Sequence, residues 1–187
     1  MRRLRLNTLV SSFIQWFDTD YHAQGAAQRV RDIDRVNWLR CTPFVILHLG
    51  CLGVFFVGWS WTALYAAMGF YLVRMFAITG IYHRYFSHRT FKTSRAAQFI
   101  FAVLGAASAQ RGPLWWAANH REHHRNSDSP TDPHSPVHYG FLRSHAGWFM
   151  CTRYYATQYN RIQDFARFPE LVWLNRFDKA VPAAAGL

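Results

Sequence analysis

From Cys41 to Tyr82 the only formal charge is Arg74, and the first 33 residues of that run, to Val73, carry none. An uncharged apolar stretch of this length exceeds one bilayer crossing and suits two of about 20 residues each. Gly58-Trp59-Ser60-Trp61 offers a place to turn, and its paired Trp side chains suit a headgroup layer. The expected spans are therefore Thr42 to Val57 and Thr62 to Ile81, joined as a hairpin. Burying two such helices inside a soluble core would take more chain than 187 residues provide.

Charge orients the hairpin. Residues 1–40 hold seven Arg and residues 83–187 hold thirteen Lys and Arg, whereas the turn between the spans holds none. Both termini are accordingly expected on the cytoplasmic side. The net charge of +11 is scattered around apolar blocks and dominated by Arg. That distribution fits an anionic membrane surface or an acidic substrate headgroup, and argues against nucleic acid, which asks for basic residues gathered on one face. Cys41, Cys51 and Cys151 are isolated and read as small apolar fillers, not as a disulfide framework. The basic start, Met1 to Leu6, is followed by Asn7, Ser11, Ser12 and Gln15 without a small-residue cleavage site, so no signal peptide is expected.

The fold class that follows is an all-α integral membrane protein in three segments. Residues 1–40 form a cytosolic segment with one or two short surface helices, residues 41–82 the transmembrane hairpin, and residues 83–187 a helical cytosolic cap region. Within the cap region Ala96 to Ala109 is apolar but, at 14 residues, too short to span, and reads as an interfacial or core-facing helix. Gly112-Pro113 marks a helix start, residues 127–136 a loop, and Gly140 to Tyr159 an aromatic, amphipathic helix.

Eight of the ten histidines lie between residues 83 and 145; His22 and His48 stand alone and read as surface or packing residues. At about 100° per residue on an α-helix, His120 and His124 fall about 40° apart and His123 about 60° to the other side. All three share a face, an arrangement of neutral imidazoles suited to iron, zinc or copper. His83 and His88 are five apart, about 140° around an ideal α-helix, and need a helix end or kink to converge. Their place at the end of the second span puts any shared site just beneath the bilayer surface. No Glu stands where an HExxH zinc hydrolase needs it, and no paired ExxH of a carboxylate-bridged site is present.

These residues resemble the integral-membrane fatty-acid desaturases, in the acyl-CoA (stearoyl-CoA, Δ9) branch. Gly80-Ile81-Tyr82-His83-Arg84-Tyr85-Phe86-Ser87-His88-Arg89-Thr90-Phe91-Lys92 is similar to the first histidine box, HxxxxH, with its surroundings. Trp116-Ala117-Ala118-Asn119-His120 through His124 is similar to the second, HxxHH. Thr131-Asp132-Pro133-His134 and Ser144-His145-Ala146-Gly147-Trp148 also match, and the likeness covers about residues 42–180.

The resemblance implies two irons held by His83, His88, His120, His123 and His124, with no catalytic residue beyond these ligands. It implies that oxygen and the iron centre introduce a cis double bond into a bound acyl chain. Gln110 and Trp116 would bound the bend of that chain, Arg153 would meet a nucleotide headgroup, and Asp132 and His134 would orient ligand imidazoles. Plainer roles stand beside these: interfacial anchoring for Trp116, a lipid phosphate for Arg153, turn formation for Asp132 and His134. Implied partners are an acyl-CoA or another acyl carrier, the lipid bilayer, and an external electron donor, either ferredoxin-like or a small cytochrome with its reductase. Ala118-Asn119 stands where the family often has an Arg-Asp pair for the CoA headgroup, which leaves the carrier open. The family's third histidine box and second hairpin have no counterpart in these 187 residues. The resulting expectation is the N-terminal half of a four-span fold, truncated and inactive alone. A non-catalytic membrane remnant or partner protein, or a lipid hydroxylase of the same histidine-box group, are the alternatives.

Overall fold

The computed structural model describes residues 9–21 and 34–186. The reading of Met1 to Leu6 and that of His22 fall outside the described residues. Among the described residues helices dominate, and the one β-type pairing is an isolated antiparallel bridge between Val36 and Cys151.

Helix α1 spans Trp38–Gly50 and continues as a 3-10 segment, Cys51–Phe56. Asn37 caps it, its side chain accepting from the Arg40 amide. Residues 57–60 leave helical geometry, and Ser60 caps α2, Trp61–Phe76, by accepting from the Ala63 amide. The helix does not end at Phe76 but widens into a π-helix over Ala77–Ser87. Trp38–Phe56 and Trp61–Ser87 are each long and apolar enough to cross a membrane. Only 11% of each apolar window is buried, with Phe55 and Phe56 81% and 90% exposed, which is unlike the core helices of a soluble protein. The second span runs six residues past the expected Ile81, because the π turn continues the helical hydrogen bonding through the first histidine group.

The flanks of the two spans meet. Arg40 Nη2 donates to the Met150 carbonyl at 2.8 Å, and the Asn37 amide reaches the same oxygen at 3.2 Å. Residues 9–21, which open with a helical turn, are fastened to the chain's other end. Asp18 pairs both oxygens with Arg176, Thr19 donates to the carbonyls of Asn175 and Arg176, and Tyr159 donates to Asp20.

Two further helices pack on the π-helix, α3 (Arg95–Ala106) and α4 (Pro113–Asn126), and beyond several short turns α5 (Pro169–Arg176) packs on both. Ser94 caps α3, and Gly112-Pro113 opens α4 with Pro at the position where its missing N–H costs nothing. Tyr82, Phe86, Ala102, Ala106, Leu114, Ala117, Ala118, Leu171 and Leu174 are buried together. α3 approaches so closely at Gly105 that a Cβ there would stand 1.9 Å from the Tyr82 ring. The 95–106 helix is thus core-facing on one side, with Ile100 and Leu104 exposed on the other.

The expected helix from Gly140 to Tyr159 is not continuous. Gly140 takes φ +72°, Cys151 is extended, and the segment divides into Pro136–Leu142, a π turn at Arg143–Gly147, Trp148–Met150 and a 3-10 turn at Thr152–Tyr154. Aromatic content gave the appearance of one helix; the positive-φ glycine stands at its expected start, and the extended backbone at Cys151 breaks it. The extended backbone at Cys151 then allows the bridge to Val36.

Candidate metal centre

The π-helix settles how the first pair converges. In an i→i+5 helix a residue and its fifth successor stand above one another, as i and i+4 do in an α-helix. The His88 amide accordingly donates to the His83 carbonyl at 3.1 Å, and their Nε2 atoms lie 3.2 Å apart. The pair thus converges through a wider winding at a helix end, where an α-helical phase would hold the two rings about 140° apart. On α4, where the phase is α-helical, His120 and His124 bring their Nε2 atoms to 3.0 Å.

The two pairs face each other. Ring centroids are 4.6 Å apart for His83 and His120 and 4.7 Å for His88 and His124, closing a circuit of four imidazoles. One ligand nitrogen from each of His83, His88, His120 and His124 lies within 4.8 Å of all the others. Opposed metal–imidazole bonds of about 2.1 Å place donor atoms at most ~4.2 Å apart, so shifts of a few tenths of an ångström would close the set around one ion. Each Nε2–Nε2 contact lets two neutral rings share one proton, which a metal would displace.

His123 stands beside this circuit, its ring 5.6 Å from that of His124 and 6.2 Å from that of His120. Its Nδ1 lies 3.0 and 3.1 Å from the two oxygens of Asp132. An Nδ1–H donated to that carboxylate leaves Nε2 with its lone pair, the state a metal ligand needs. Asp132 is itself buried and accepts from the amides of Asp128 and His134. Burial alone would raise its carboxyl, but the bonds from His123, His134 and Asp128 outweigh that and hold it below the ordinary carboxylate range.

Electrostatics favour the neutral ring at His120 and at His88. Burial, then the neighbouring His124, His83, His88 and His123, push His120 down to about 3. His88 is lowered by desolvation, by His83 and His124, and by Arg121. His88 and His124 remain exposed, so the circuit opens to one side, while His83 and His120 are half-buried.

Trp116 stacks on His120 at 4.7 Å with a 22° tilt, and its Nε1 donates to Gln110 Oε1 at 3.2 Å. Gln110 and Trp116, both expected on the substrate side, therefore sit together, with Trp116 against His120. Arg153 is engaged otherwise: its Nε and Nη2 hold the two oxygens of Asp34 at 2.6 and 2.9 Å. His134 reaches the site both through its backbone amide, which donates to Asp132, and through its ring, which packs edge-on at 4.9 Å from His123 and lies 4.4 Å from Trp148. His138 meets the Asp128 carbonyl and His145 stacks on Phe141, so neither joins the circuit. Sequence reasoning gave no role to Arg121 or Asp164. Nothing in spacing or composition distinguishes Arg121 from the other basic residues beside the second histidine group.

No family model matches the chain. An acyl-CoA 5-desaturase of Anemone leveillei is 36% identical over 119 residues, which cover 63% of this chain and 36% of that protein. An sn-1 stearoyl-lipid 9-desaturase of Anabaena variabilis is 31% identical over 159 residues, 82% of this chain and 57% of that protein. A Delta-9 acyl-lipid desaturase of Arabidopsis thaliana is 35% identical over 136 residues, 71% of this chain and 44% of that protein. The chain thus spans about half or less of the length of these relatives. Similarity at this level across plant and cyanobacterial desaturases accompanies the converging histidines, and the chain belongs to the integral-membrane fatty-acid desaturase family, in the group that includes the Δ9 desaturases.

Proposed function

We propose that this chain carries the histidine-ligated iron site of a membrane fatty-acyl desaturase, which places a cis double bond in an acyl chain at the expense of oxygen and an external electron donor. The observation that carries this reading is the meeting of four imidazole nitrogens from two distant histidine groups within 4.8 Å. Iron held there would supply the oxygen chemistry for removing hydrogen from an unactivated methylene. His83, His88, His120 and His124 would hold the first ion, and His123, oriented by Asp132, would turn Nε2 toward a second. Trp116, stacked on His120 and tied to Gln110, gives an apolar wall against which an acyl chain is positioned and water excluded.

Membrane placement follows from the two apolar helices, and the hairpin reading is supported by the joined flanks of Arg40 with Met150 and Val36 with Cys151. Both flanks then lie at one end of the spans, on the cytoplasmic side by the Lys/Arg distribution. Leu9, Val10, Phe13 and Phe17, all exposed, add an apolar face beside the first span, where Trp16 Nε1 donates to the Leu39 carbonyl. The substrate is an acyl-CoA or an acyl lipid, the two classes that the relatives' names give for those proteins.

Five imidazoles are too few to fill two iron coordination shells, so the 187-residue chain alone is expected to bind iron in an open shell and not to turn over. The test is the purified chain in lipid nanodiscs with ferrous iron, reductant, oxygen and a stearoyl-CoA or stearoyl-lipid substrate. Bound iron lost on His120→Ala supports the site. Unsaturated product detected by mass spectrometry would overturn the expected inactivity and leave the desaturase reading stronger. No metal bound at neutral pH would sink the reading itself.

A further inference from the structure

The carbonyls at the end of the π-helix are satisfied in two different ways. Those of His83, Tyr85 and Arg84 accept from the amides of His88, Arg89 and Thr90 at 3.1, 3.1 and 3.0 Å. The last two, on Phe86 and Ser87, have Arg121 instead: Nη2 donates to Phe86 O at 2.7 Å and Nε to Ser87 O at 3.0 Å. Arg121 belongs to α4 and directly follows His120. Its side chain closes the end of the other helix that builds the imidazole circuit.

The guanidinium is fixed from its far side. Nη1 and Nη2 meet the two oxygens of Asp164 at 2.9 and 3.0 Å, and Nη1 also donates to the Arg161 carbonyl at 3.2 Å. Asp164 takes a second cation, Arg89 Nε at 2.7 Å. Arg89, with φ 52°, is the left-handed residue that ends the first histidine segment. One carboxylate thus anchors the residue that ends the π-helix and the residue that clamps it.

We infer that Arg121, locked by Asp164, is a positioning residue that sets the His83–His88 pair against the His120–His124 pair. The inference rests on the metal-site reading above. A planar guanidinium can serve two carbonyls along one edge and a carboxylate along another, whereas a lysine ammonium offers a single compact charge. Without the clamp the two carbonyls lose their protein donor, the end of the π-helix frays, and His88 loses the backbone that holds its Nε2 beside His83.

The experiment uses the whole chain in lipid nanodiscs, with Co(II) as the probe. The variants are Arg121→Gln, Arg121→Lys and Asp164→Asn, with Arg95→Gln as the control; Arg95 pairs with Glu170 on the surface and touches no histidine. Co(II) affinity and ligand-field absorption are read together with backbone amide hydrogen exchange over residues 83–92. Both Arg121 variants should weaken Co(II) binding at least tenfold, alter the absorption envelope and speed exchange over 83–92 at least tenfold. Asp164→Asn should act in the same direction and less, and Arg95→Gln should change neither readout. A lowered melting temperature with wild-type affinity, absorption and exchange would overturn the inference and leave Arg121 an ordinary structural ion pair. Should Arg121→Gln fail to fold, Arg121→Lys and Asp164→Asn decide by the same readouts. A wild-type chain that takes up no Co(II) counts against the metal reading, and exchange over 83–92 then decides for or against the clamp alone.

Discussion

The His88 amide donates to the carbonyl of His83, five residues earlier, and the two imidazoles meet at 3.2 Å between their Nε2 atoms. The local i→i+5 winding makes neighbours of two side chains that an α-helix would hold far apart around its axis. Inserting one alanine between Arg84 and Tyr85 should therefore move His88 out of the circuit while leaving the helices in place. Metal affinity, measured by competition with a chelator, should drop at least tenfold with unchanged far-ultraviolet circular dichroism. Retained affinity would mean that the π register is not what assembles the site.

Asp132 fixes the ring of His123 and is itself fixed by two backbone amides. Asp132→Asn keeps the size and loses the charge that holds Nδ1–H in place. Affinity for metal at the His123 side should fall about 10- to 100-fold, the usual cost of losing such a partner. Titration with Fe(II) under anaerobic conditions should show the weaker of two binding events disappearing first. An isotherm equal to wild type would remove Asp132 from the site.

Gly105 lets α3 lie against the Tyr82 ring, where a Cβ would come within 1.9 Å. Gly105→Ala forces the ring or the helix to shift, at a cost of about 1–3 kcal/mol by analogy with overpacked cores. Because Tyr82 precedes His83, the displacement should also reach the first histidine pair. Thermal unfolding in detergent should show a lower midpoint, and Co(II) absorption a changed envelope. A midpoint within error of wild type would show that α3 yields at no cost.

Lys179 is largely enclosed, and its Nζ donates to the Gln15 carbonyl at 2.8 Å. Burial pushes its pKa down to about 8 from 10.5; Asp178 opposes the shift, and Arg111 and Arg40 add to it. Between these values the unfolded chain binds more protons than the folded one, so stability should rise with pH from about 8 to 10.5. Below pH 8 both states carry the charge and the full penalty remains. Lys179→Met should remove that rise and stabilise the protein at pH 7 by about 1–2 kcal/mol, once the lost bond to Gln15 is offset. Melting curves at pH 7, 9 and 10.5 check it; a variant that still gains stability with pH would assign the effect elsewhere.

The sequence alone determined which segments are apolar and long enough to span a membrane, because an uncharged run is a property of composition along the chain and needs no neighbours to be read. It determined the shared face of His120 and His124 for a similar reason: one α-helix has one period, and Gly112-Pro113 announces where it starts. Only the tertiary structure decided how His83 and His88 converge. Whether a turn closes i→i+4 or i→i+5 depends on what packs against it, and here α3 at Gly105 packs against Tyr82 and Arg121 donates to the carbonyls of Phe86 and Ser87. It also decided that Arg153 meets Asp34, 119 residues away, and that His134 sets its amide on Asp132 and its ring against His123. A single residue's spacing from its neighbours carries no information about a partner brought near by a different helix, and for that reason the Arg121–Asp164 lock, 43 residues apart in sequence, was visible only once the chain was folded.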